Sequence, residues 1–97
     1  MPFNGELVPT TNFGLYKNFS SSNLVKTGSG VVMGVIINSH TSGTLKFWDN
    51  TSAATTVLFN TITLGATERW VPLLGAKFLT GLYITTGGTI DATVVYN

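Results

Sequence analysis

A chain of 97 residues with 9% charged side chains and a formal net charge of +1 is one domain, large enough for a single two-layer core and too short for two. Its five Lys or Arg and four Asp or Glu are scattered along the sequence, which excludes the basic patch a nucleic-acid binder needs to displace counterions. The lack of cysteine excludes a disulfide scaffold, thiol chemistry and thiolate zinc sites.

Residues 1–22 read as an extended N-terminal arm, because Pro2, Gly5, Pro9 and Gly14 break any period. The arm nevertheless carries Phe3, Phe13, Tyr16 and Phe19, which a solvated tail does not need. Those aromatics either fold back on their own domain or reach onto a neighbouring subunit. Its start has no basic region followed by an apolar run, so no signal peptide is expected. No apolar run reaches the length of a membrane-spanning helix, so no membrane role is expected.

Residues 23–97 read as an all-β domain: an antiparallel β-sandwich or a small jelly-roll-like barrel. Sixteen threonines and eleven glycines favour pleated strands with tight turns over helix, and no substantial helix is expected. Ser22 to Thr27 is a first short strand. Val31 to Ile37 is apolar on both parities, as a strand covered on both faces is, and Asn38 to Gly43 is expected to turn the chain. In Thr44 to Asp49, Leu45 and Phe47 share one face and Lys46 and Trp48 the other. Thr55 to Leu64 is the next strand.

Glu68 to Leu74 is extended, and Pro72, which cannot donate to a ladder, puts it at a sheet edge or ends it near Val71. Leu74-Gly75-Ala76 reads as a turn, and Phe78 to Thr85 as a strand. Gly87-Gly88 reads as a two-residue hairpin. The last strand alternates, with Ile90, Ala92, Val94 and Tyr96 inward and Asp91, Thr93 and Val95 outward.

The chemistry-bearing residues have plain roles available. His40 is the only histidine, sits in an expected turn, and has no nucleophile elbow near it. Asp49 opens a turn, Glu68 neighbours Arg69, and Asp91 lies on an outward parity, so a glycosidase pair has no support. Gly28-Ser29-Gly30 precedes a strand, where a phosphate-cradling loop would need a helix. No catalytic residue, metal or cofactor is expected, and the chain reads as a non-enzyme. Trp48, Trp70 and Tyr83 are candidates for sugar stacking or for contacts between subunits.

From Gly34 to Asp49 (GVIINSHTSGTLKFWD), Val57 to Leu64 (VLFNTITL) and Phe78 to Thr85 (FLTGLYIT) the chain resembles small bacteriophage virion structural proteins of the capsid cement or decoration type. The resemblance implies an accessory protein that binds major capsid protein or another virion protein and its own copies, a trimer favoured, on the capsid surface after synthesis in the bacterial cytoplasm. It brings no active site. Composition adds candidate partner-binding residues Phe3, Phe13, Tyr16, Phe19, Trp48 and Trp70. A chain this poor in charge is expected to have part of its surface covered. The alternative expectation is a carbohydrate-binding module of a phage tail or fibre.

Overall fold

The computed structural model describes residues 14–97. Every regular element among them is a strand: β1 (Leu15–Phe19), β2 (Asn23–Thr27), β3 (Gly30–Trp48), β4 (Val57–Thr63), β5 (Trp70–Phe78) and β6 (Gly81–Tyr96). All pairings are antiparallel and join one six-stranded sheet. The all-β expectation holds, with one continuous sheet in place of two separate ones.

The sheet is built on β3 and β6, which run side by side from Val32↔Tyr96 to Trp48↔Tyr83. Each carries two short strands on its free side. Along β3, β5 pairs with Gly30 to Ile36 and β4 with Thr44 to Trp48. Along β6, β2 pairs with Gly81 to Ile84 and β1 with Ala92 to Tyr96. The result is two four-stranded blocks, β1-β6-β3-β5 and β2-β6-β3-β4, that share their central strands.

The blocks fold face to face. A straight strand of 19 residues would span about 60 Å, yet both ends of β3 meet the β5–β6 connection. Gly30 lies against the Phe78 ring. Asp49, the residue after β3, accepts N–H groups from Leu79 and Thr80 at 3.0 and 2.8 Å. Val35, Ile37, Val71, Ala92 and Val94 of the first block and Leu45, Phe47, Leu82 and Ile84 of the second are buried in one cluster. Among the described residues no helix covers these faces, so each block is the other's cover.

The fold of the sheet corrects several expectations. Asn38 to Gly43 does not reverse the chain: Ser39, His40 and Thr41 stay paired with Asp91, Ile90 and Thr89. Gly87-Gly88 is not a hairpin either, because β6 continues through it as one strand. Both segments are the same bend seen on two strands. The register slips between Ile37 and Ser39 and between Thr41 and Thr44, with Ser42 at φ 51° and Gly88 at φ 70°. A Cβ on Gly88 would collide with the backbone carbonyls of Ser42 and Thr41, so glycine is needed here for close approach of two backbones.

Leu74-Gly75-Ala76 is likewise a bulge within β5 and not a turn. Between Val32↔Ala76 and Gly34↔Pro72, β3 advances two residues and β5 four, and Leu74 and Gly75 take φ 60° and 74°. The same irregularity explains the apolar run of β3. Val32, Val35 and Ile37 are buried, whereas Ile36 is exposed, so the run changes parity at a bulge and is not covered on both faces. The expected strand Phe78 to Thr85 is divided, with Phe78 ending β5 and Gly81 starting β6.

Other expectations hold. Pro72 lies on β5, which among the described residues pairs only with β3 and so stands at the edge of the sheet. Ile90, Ala92 and Val94 are buried and Asp91 is exposed. The described part of the arm folds onto its own domain: β1 lines the edge of β6, and Phe19 is 5% exposed within the core.

Candidate interaction surfaces

The outer face of the first block is set by strand alternation. Phe19 points inward, so Tyr16 and Asn18 on β1 point outward. Register aligns two rows across the strands. One is Tyr16, Val95, Gly34 and Pro72, and the other is Asn18, Thr93, Ile36 and Trp70. A side chain on Gly34 would collide with the Trp70 indole at Cη2 and Cζ2. Glycine therefore gives the indole room to sit over the β3 backbone, and Trp70 remains 44% exposed. Tyr16 is 73% exposed.

Toward the bend this face turns polar. Asn18 Nδ2 donates to Asp91 Oδ1 at 3.0 Å and to Thr93 Oγ1 at 3.2 Å. Asn38 Nδ2 donates to the same two oxygens at 3.0 and 3.3 Å. Residues from β1, β3 and β6 are thereby linked. The amide of Asn18 and then that of Asn38 favour the ionised carboxylate, holding Asp91 below the usual aspartate pKa against a smaller opposing effect of desolvation.

The outer face of the second block engages its own aromatic. Trp48 Nε1 donates to Thr85 Oγ1 at 2.9 Å, and Lys46 Nζ lies 4.4 Å from the centre of the Trp48 ring. This cation–π contact covers one ring face. Tyr83, opposite Trp48, is half-buried. Of the three aromatics expected as stacking candidates, Trp70 is the one the structure holds open.

A third surface lies along the β5 edge. Leu74, at the crest of the left-handed bulge, is 86% exposed. Leu79, in the following connection, is 67% exposed. The sequence marks the bulge through Gly75, but it does not tell a bulge from a chain reversal.

The remaining polar candidates hold the fold. His40 Nδ1 accepts the Gly43 N–H at 3.0 Å, and Nε2–H donates to the Gly65 carbonyl at 2.8 Å. These bonds fix the tautomer and staple the bend to the β4–β5 connection. Glu68 Oε1 accepts the Gly65 N–H at 2.9 Å. Partial burial works to raise the pKa of Asp49, but the N–H groups of Thr80, Leu79 and Gly81 together outweigh it and bring the carboxyl below its ordinary range.

The six candidate partner-binding residues have different fates. Tyr16 and Trp70 share the first block's outer face, Trp48 is tied into the second block, and Phe19 is in the core. Phe3 and Phe13 lie outside the described residues. Asn18 and Asn38, which sequence reasoning did not single out, prove to be organised around Asp91. Their separation in sequence hides this. Comparison with models of protein families, with characterised proteins and with solved structures finds no match to this chain.

Proposed function

We propose that this chain is a non-enzymatic structural subunit of a bacteriophage virion, a capsid cement or decoration protein. It binds capsid protein and its own copies, in a trimer, on the surface of the assembled head. The observation that carries the reading is Leu74. A leucine in the left-handed region costs about 1–2 kcal/mol, and here that conformation holds an apolar side chain 86% exposed on a sheet edge. Burying such a side chain against a partner gains about 1.5–3 kcal/mol. Leu79, 67% exposed in the connection after β5, offers a second apolar anchor, and a surface this poor in charge has little to desolvate. Repetition of modest contacts around a shell multiplies their effect.

The test is co-sedimentation with assembled heads of the virus that encodes the chain, followed by heating of the loaded heads. Bound protein raises the temperature at which heads release DNA, and Leu74→Asp with Leu79→Asp abolishes binding while the isolated chain still unfolds cooperatively. Failure of the unsubstituted chain to bind heads, or undiminished binding by the double variant, refutes this reading.

A further inference from the structure

We infer that the outer face of the first block is a flat binding site for a neutral, β-linked polysaccharide, with Tyr16 and Trp70 as its two stacking platforms. This inference goes beyond the virion reading and does not depend on it. Tyr16 opposes Val95, and Val95 opposes Gly34, over which the Trp70 indole sits. The two aromatic positions are thus two inter-strand steps apart, about 10 Å. That is close to the length of one disaccharide unit in an extended β-linked chain, so alternate sugar rings can meet successive aromatic surfaces. Val95 between them supplies an apolar floor, and sugar rings present apolar C–H faces to such surfaces.

Polar chemistry narrows the ligand. The nitrogens of Asn18 and Asn38 are engaged by Asp91 and Thr93. The amide oxygens of both residues and Oδ2 of Asp91 have no hydrogen-bond partner among the described residues. They are acceptors, and what they accept is hydroxyl protons. Neither of the two rows, nor the polar cluster beside them, carries a lysine or arginine. Lys17 is on the opposite parity of β1 and donates to the Leu24 carbonyl at 2.9 Å. Acceptors beside an anionic Asp91, with no cation in the two rows and the exposed Lys77 further along β5, opposite Val31, favour hydroxyl-rich neutral chains and disfavour acidic ones. A protein partner of this chain has the β5 edge leucines available. The aligned aromatics with a border of free acceptors suit a sugar chain.

The experiment is titration of the isotope-labelled full chain by NMR with cellohexaose and chitohexaose, and with a hyaluronan hexasaccharide as the acidic comparison. At least one neutral hexasaccharide is expected to give saturable shifts confined to Tyr16, Asn18, Asn38, Trp70 and their strand neighbours, with the acidic one at least about tenfold weaker. Tyr16→Ala and Trp70→Ala each weaken binding by about tenfold. Tyr16 is so exposed that its variant keeps the fold, which guards against loss by unfolding in the Trp70 variant. Leu74→Asp leaves sugar binding unchanged, which separates this site from the capsid contact. Silence with both neutral sugars, equal binding of the acidic one, or full affinity in Tyr16→Ala overturns the inference.

Discussion

Removal of the Asp49 carboxylate tests whether the closed form of the sheet depends on the clasp at the β5–β6 connection. In Asp49→Ala, the N–H groups of Leu79, Thr80 and Gly81 lose an acceptor now at 3.0, 2.8 and 3.4 Å. The nearest measured analogy is deletion of a side-chain acceptor capping a helix N-terminus, which costs about 0.5–2 kcal/mol. Because the site is partly open, water replaces some of the lost bonds, and a cost of about 1–2 kcal/mol is expected. For a domain of this size that lowers Tm by about 4–16 °C.

The carboxyl's folded pKa lies below its ordinary value, so the folded state favours the ionised form. The resulting stability is fully present above the unfolded aspartate pKa of about 3.9 and is lost as pH falls through the folded pKa. The gap in Tm between the natural chain and the variant, followed by circular dichroism, is therefore constant near neutrality and narrows below about pH 4. Asp91 is also shifted down, but it is present in both proteins and cancels in the difference. A variant with unchanged Tm at pH 7, or a gap that does not close on acidification, would refute the clasp.

The bend makes a paired prediction. Gly88→Ala introduces a Cβ into the carbonyls of Ser42 and Thr41 at φ 70° and is expected to destabilise by about 3 kcal/mol or more. Gly28→Ala, at φ 93° with open space around it, loses only about 1 kcal/mol. Urea unfolding of both variants checks the order, and equal losses would mean that backbone approach at the bend is not limiting. His40→Ala frees the Gly43 N–H and the Gly65 carbonyl and is expected to cost about 1–2 kcal/mol, with hydrogen exchange accelerating at Gly43. Unchanged exchange there would show that the imidazole does not hold the bend.

Much of the architecture is local in origin and legible from the residue order. Threonine and β-branched residues made strands, Pro72 marked an edge, and the alternation from Ile90 to Tyr96 assigned inner and outer faces, because side-chain period and ladder chemistry act within a few residues. The site was only partly legible. Trp70 and Tyr16 stood out as aromatics, but the open Trp70 and the engaged Trp48 look alike in sequence. They differ because Lys46 and Thr85 hold one and Gly34 makes room for the other.

The path of the chain at its glycines was decided by tertiary structure alone. Gly88 and Gly75 do supply the positive φ that a reversal uses, and the same dihedrals serve a bend or a bulge. What selects between these outcomes is the strand lying opposite: β3 from Thr41 to Thr44 keeps β6 paired through the bend, and Val32 to Gly34 lets β5 bulge without leaving the sheet. Each of those partners is some forty residues away in sequence. Residue order determined where the backbone could depart from a regular strand, and long-range pairing determined that it bent there and did not turn back.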